Sequence, residues 1–184
     1  MPAPPSCFVA LPLRPCPALL DLQDRLPEVL RPIHPEDLHV TVAYFGRIPE
    51  DRHPRILDLI ASMPQEPVPV TLAGLLALPS RERPTATTLR LGRGHDVLAD
   101  LMRTWRPPLA AAAEVEPETR GPLPHVTFAR PKGRRMTEEK RAAVLSWIDA
   151  LPELAAPATL GPPALFRSRP PREEGPHYEV VRPG

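Results

Sequence analysis

Apolar residues along this chain alternate between two spacings, and the changes of spacing mark its elements. Cys7-Phe8-Val9-Ala10-Leu11 is a continuous apolar run closed by Pro12, the pattern of a buried strand within Ser6 to Leu13. From Pro17, Leu19, Leu22, Leu26 and Val29 recur at helical spacing, and Pro27 is expected to end or kink that helix. Arg31 to Asp37 reads as a loop, because each residue before a proline is pushed out of the helical region. It leads into a strand from Leu38 to Phe45, stopped by Gly46. A helix between Glu50 and Met63 places Ile56, Ile60 and Met63 on one face and tolerates Pro54 only near its first turn. Val68 to Leu78 and Thr85 to Leu91 read as strands, paired through the turn from Pro79 to Pro84.

After Gly92 the pattern restarts. Val97, Leu101, Met102 and Trp105 have helical spacing, with Pro107-Pro108 as the expected stop and Leu109 to Ala113 adding a short turn. A loop from Glu114 to Pro124 feeds a strand beginning at His125. Thr137 is the expected N-cap of a helix with Glu138 and Glu139 in its first turn and Val144, Ile148 and Leu151 on one face. Strands from Ala158 to Arg167 and from His177 to Val181 follow. Each half thus reads helix, strand, helix, two further strands, a duplication of order. It predicts an α+β fold with two lobes related by an approximate two-fold axis. Antiparallel sheets carry helices outside, and their inner faces meet at a central cleft. Residues 1–184 are expected to form this one bilobal domain.

The middle strand of each half repeats a phrase. His39-Val40-Thr41-Val42-Ala43 recurs 86 residues later as His125-Val126-Thr127-Phe128-Ala129, alike at four of five positions. Side chains of a strand alternate between faces, so each phrase sends His and Thr to one side and apolar residues to the other. If the strands face each other across the cleft, two imidazoles and two hydroxyls converge. Histidine gives or takes a proton near neutral pH, and a pair can do both in one displacement at phosphorus. The threonine hydroxyls would hold the non-bridging oxygens. A zinc reading using both histidines lacks a carboxylate at ligand spacing and leaves the threonines unexplained.

Composition narrows the partners. With 23 basic and 22 acidic residues the formal charge is +1, which excludes a strongly basic surface for gripping duplex nucleic acid. The 30 prolines would suggest disorder in a polar chain, but at 42% hydrophobic they read as stiff loops on an ordered core. Cys7 and Cys16 are too few for a disulfide framework or a thiolate metal site. No stretch resembles a signal peptide or a membrane span, so a cytoplasmic monomer is expected. His34, His53 and His95 are expected in solvent. His177 is the one further histidine expected near the cleft, although a surface position suits it better. One of Tyr44 and Phe45 should pack in the core while the other is free to stack a base at the cleft rim.

Leu38-His39-Val40-Thr41-Val42 with Phe45-Gly46, and Pro124-His125-Val126-Thr127-Phe128-Ala129-Arg130, resemble the two HxTx motifs of the 2H phosphoesterase superfamily. Within it they resemble those of the RNA 2',3'-cyclic phosphodiesterases, also described as 2'-5' RNA ligases. Phe8-Val9-Ala10-Leu11 is similar to the family's opening strand. Leu165-Phe166-Arg167-Ser168 and Gly175-Pro176-His177-Tyr178 are similar to its closing hairpin. The resemblance implies a bilobal enzyme without metal or cofactor that opens a 2',3'-cyclic phosphate, on an RNA end or a small cyclic nucleotide, to a 2'-phosphate. It makes His39 the proton donor to the 3' oxygen and His125 the base for water, with Thr41, Thr127 and Arg130 on the substrate. Arg130 stands an odd number of residues from His125, which nominally turns it away from the cleft. Lys132, Arg134 and Arg135 beyond it could guide a single-stranded tail. The alternative is a binding module for nucleotides or RNA ends that has lost turnover.

Overall fold

A computed structural model describes residues 4–133, 135–170 and 175–182. In chain order the elements are β1 (Ser6–Pro12), α1 (Pro17–Asp24), β2 (Leu30–Pro32), β3 (His39–Arg47), α2 (His53–Ser62), β4 (Val68–Leu78), β5 (Ala86–Leu91), α3 (His95–Ala113), β6 (His125–Pro131), α4 (Glu138–Ala150), β7 (Ala156–Leu160), β8 (Ala164–Ser168) and β9 (Tyr178–Val180). They form the expected α+β arrangement of two antiparallel sheets, one in the order β3-β1-β8-β9 and the other β2-β6-β5-β4-β7. Helices α2 and α3 pack on the first sheet, α1 and α4 on the second.

The lobes are not the two halves of the sequence. The first HxTx strand, β3, shares its sheet with the late strands β8 and β9, whereas the second, β6, pairs with the earlier β5 and β2. The strand expected from Ala158 to Arg167 is in fact β7 and β8, on different sheets. Gly161-Pro162-Pro163 makes the break, because neither proline can donate to a ladder. The crossing is tied down by the Gly161 amide, which donates to the Pro12 carbonyl at 2.7 Å, and by a bridge between Leu13 and Leu160.

Two further expectations change. Pro107 and Pro108 lie inside α3. They cost hydrogen bonds to the carbonyls of Arg103 and Thr104, but Arg103 and Thr104 are both exposed, so water can replace the lost donors. Beyond them Leu109, Ala110 and Ala113 are buried, and this packing carries the helix onward through the alanines. The segment Arg31 to Asp37 holds the end of the edge strand β2, whose Arg31 pairs with Arg130, and a 3-10 turn over Pro35–Asp37. Thr137 caps α4 as expected, its Oγ1 accepting from the Lys140 amide at 3.3 Å.

One buried cluster runs through both lobes, from Val9 and Leu11 of β1 to Leu72, Leu89, Val126 and Phe128 of the second sheet. The Phe128 ring is fully buried against Trp147 of α4, whose indole N–H donates to the Arg25 carbonyl at the end of α1 at 3.0 Å. Phe128→Ala should therefore cost about 3–5 kcal/mol in denaturant unfolding, while Val97→Ala on the exposed face of α3 should change stability by less than about 0.5 kcal/mol.

Candidate active site

Strands β3 and β6 are neighbours where the two sheets meet. Val40, Val42, Val126 and Phe128 are fully buried, so His39, Thr41, His125 and Thr127 are left on the opposite face. That face forms a cavity of about 350 Å³, lined by all four together with Arg130 and Tyr44. Among the described residues neither threonine hydroxyl is bonded to another protein group, so both remain available to an anion.

The two histidines are oriented by the same device. His39 Nδ1 lies 2.6 Å from the Asp37 carbonyl, and His125 Nδ1 lies 2.7 Å from the Leu123 carbonyl, in each case two residues back along the chain. A carbonyl only accepts, so each Nδ1 carries hydrogen and each ring keeps Nε2 for the cleft. Behind His39 is an aromatic wall. Phe8 stacks on it with ring centres 4.8 Å apart, and Tyr178 stands edge-on to both rings.

Arg130 reaches the cleft because β6 carries an extra residue. Thr88 pairs with Thr127 but Thr87 pairs with Ala129, which makes Phe128 a bulge and reverses the alternation beyond it. The first motif repeats this. Ala10 pairs with Thr41 and Val9 with Ala43, so Val42 is the extra residue, and Tyr44 turns toward the cleft with 61% of its surface exposed. Phe45 beside it is buried in the core. A side chain from a covering helix bonds the carbonyl of each bulge. Arg106 of α3 donates Nε–H to Val42 O at 2.9 Å, and Gln23 of α1 donates at 2.9 Å to Phe128 O, which also accepts from the Ile33 amide at 2.9 Å.

Asp37, which the sequence pattern did not single out, is nearly fully buried at 2% exposure. Its carboxylate accepts from the amides of His177 at 2.7 Å and Tyr178 at 3.1 Å while its own carbonyl holds His39. His177 itself is exposed, and Tyr178 is the neighbour that lines the cleft. His53, expected in solvent, is buried against Cys7 with Nε2 3.6 Å from Sγ, because the first turn of α2 faces β1. Lys132 and Arg135 are exposed outside the cavity, and Arg134 lies outside the described residues. Among the described residues no three His, Cys, Asp or Glu side chains converge as metal ligands would.

The family model described as LigT-like phosphoesterase matches residues 11–87. An RNA 2',3'-cyclic phosphodiesterase of Aeropyrum pernix is 29% identical over 106 residues, a stretch covering 58% of this chain and 60% of that protein's length. The solved structure of a Thermus thermophilus protein superposes with a TM-score of 0.70 at 21% identity, covering 96% of this chain and 95% of that one. Escherichia coli LigT complexed with 3'-AMP gives 0.67 at 20% identity, covering 97% and 96%. Residues 11–87 are thus similar to the LigT-like phosphoesterases, and the chain as a whole shares the fold of LigT. No helix among the described residues is long and apolar enough to cross a membrane.

Burial pushes His39 below the ordinary histidine range. The bond to the Asp37 carbonyl and the Asp37 charge oppose this, and His125 and Arg130 reinforce it. Burial lowers His125 too, opposed by its bond to Leu123 and reinforced by Arg106 and Arg130. Both rings of the free protein are therefore neutral at pH 7. In a proton NMR titration both should titrate below ~6.5 and move upward on addition of inorganic phosphate, whose charge favours imidazolium. Two free-protein midpoints at or above that value would contradict this electrostatic account.

Proposed function

We propose that this protein is a phosphoesterase that hydrolyses the 2',3'-cyclic phosphate of an RNA end or nucleotide to a 2'-phosphomonoester, with no metal ion. The reverse 2'-5' joining of RNA is open to the same groups. The reading takes residues 1–184 as one bilobal catalytic domain. The observation that carries it is the pair of imidazoles on matching strands, each tied at Nδ1 and each offering Nε2 to one cavity. A pure binding module has no use for a matched acid and base. The name of the Aeropyrum relative and the 3'-AMP complex of LigT support the same substrate class.

In this mechanism water loses a proton to His125 Nε2 as its oxygen bonds to phosphorus. The bond from phosphorus to the 3' oxygen breaks opposite it, and that oxygen takes the proton of His39 Nε2. Thr41, Thr127 and Arg130 hold the non-bridging oxygens, where the developing charge is stabilised. The phosphate stays on the 2' oxygen because only the group opposite water leaves. Since both rings are neutral in the free protein, the charge of the incoming phosphate helps supply the one proton that turnover needs.

His39→Ala and His125→Ala should each lower kcat by ~10²- to 10⁴-fold, and the double variant should lose little more, since either loss disables the concerted step. Thr41→Ala or Thr127→Ala removes a hydroxyl contact worth ~1 kcal/mol in the ground state and more if it tightens in the transition state. Near-wild-type rates in the single histidine variants would leave the binding module as the better account.

Chelator should not reduce turnover, and phosphorus NMR should show a 2'-phosphate as sole product. A 3'-phosphate would reverse the assigned roles of the two histidines. The pH profile of kcat/KM should be bell-shaped, its alkaline limb falling where the higher apparent pKa of the coupled, depressed pair is passed. The alkaline limb of kcat should lie at higher pH, because bound phosphate raises both rings.

A further inference from the structure

The two motifs match in sequence and in backbone geometry, so neither by itself decides which imidazole gives a proton and which takes one. The asymmetry lies in the charges beside them. Two residues before His39 stands Asp37, and two residues before His125 stands Leu123, each binding its imidazole through the same backbone carbonyl. Asp37 is buried and lines the cavity with His39. Its carboxylate is held by two backbone amides and, among the described residues, by no Lys or Arg. The side chains on the bulge carbonyls differ in the same way. Phe128 O is met by the neutral Gln23, but Val42 O is met by Arg106, which lines a groove of about 530 Å³ together with His125. Arg106 is half-buried and directs its other donors to the Arg120 carbonyl and Met102 Sδ, with no carboxylate within salt-bridge distance among the described residues. Neither charge is neutralised by an ion pair, so each acts on the imidazole beside it.

We propose that Asp37 and Arg106 are positioning residues for the proton of turnover, the carboxylate keeping it at His39 and the guanidinium turning it away from His125. The inference rests on the cyclic phosphodiesterase reading above and deepens it, since the resemblance alone assigned the two roles. Burial, the largest influence, lowers both rings, the carbonyl bonds raise both, and Arg130 lowers both. Each of these acts in one direction on the pair. Beyond them the Asp37 charge favours imidazolium at His39, whereas the Arg106 charge disfavours it at His125. The remaining neighbours are neutral or paired. Phe8, Phe166 and Tyr178 face His39 from β1, β8 and β9, while Glu118 and Arg120, on the groove beside His125, are bonded to each other at 2.6 Å. His125 also disfavours charge on His39, so the pair shares one proton and the two outer charges decide where it rests.

The test is a proton NMR titration of both histidines in saturating inorganic phosphate, which needs no turnover. In the wild type His39 should take up its proton at higher pH than His125. Arg106→Gln keeps a donor for Val42 O without the charge, and it should raise the His125 midpoint without raising that of His39. Arg106→Lys keeps the charge and should leave the order and both midpoints as they are. Asp37→Asn should lower the His39 midpoint without lowering that of His125. With adenosine 2',3'-cyclic monophosphate at pH 7, kcat should fall about two- to fivefold in Arg106→Gln and recover in Arg106→Lys, whereas a role confined to the bulge would lower both variants alike. A wild type in which His125 is protonated first, or an Arg106→Gln protein whose His125 midpoint does not rise, would overturn the proposal even if Asp37→Asn failed to fold. Absence of wild-type turnover with the expected proton order intact would instead overturn the enzyme reading and leave the order standing.

Discussion

Two side chains of the cleft, Tyr44 and Arg130, depend on an extra residue that follows the threonine of each motif. Strict alternation from His39 and His125 would send the residues five positions on to the core side. The bulges at Val42 and Phe128 reverse the alternation and deliver Tyr44 and Arg130 to the substrate side. A bulge interrupts the ladder, so it persists only where the freed backbone groups find partners. Arg106 provides one at Val42, and at Phe128 the Ile33 amide and the Gln23 side chain share the carbonyl, which links α3 and α1 directly to the two motifs. Gln23 also donates to the Ile33 carbonyl at 2.9 Å, fixing the connection between β2 and β3 to the same point.

The interleaved sheets place this apparatus at a junction. Because β8 and β9 complete the sheet of the first motif, the closing hairpin reaches His39 from the far end of the chain. Asp37 fastens it there through the amides of His177 and Tyr178. A buried carboxylate needs such donors. One residue thus aligns the imidazole through its carbonyl and the aromatic wall through its side chain.

The two motifs and the buried face of nearly every element were legible because their signals are local: period-two alternation in β3 and β6, helical spacing in α2 and α4, and the Thr137 cap. What escaped the sequence is what depends on distant partners. The proline pair reads as a stop until the burial of Leu109 and Ala113 outweighs it. The division between β7 and β8 needs knowledge of which sheet each joins. Arg130 reads as misdirected because a bulge is visible only in the pairing register. Asp37, Arg106 and Gln23 act on backbone groups remote in sequence, so no spacing within the chain announces them.

The electrostatics follow from this placement. Arg106 and Arg130 lower the affinity of His125 for a proton, and burial lowers both rings, so the positive charge beside the motifs in the free protein comes from arginine and not from the histidines. Such a site draws an anion first and a proton second. The phosphate that enters offsets the arginine charge, and the same offset lifts the imidazoles toward the mixed protonation state in which one ring gives a proton and the other takes one. Coupling the proton to the substrate keeps the acid from being charged in a half-buried cleft before there is a leaving group to protonate, which is how a site can bury two histidines without the cost of burying their charge.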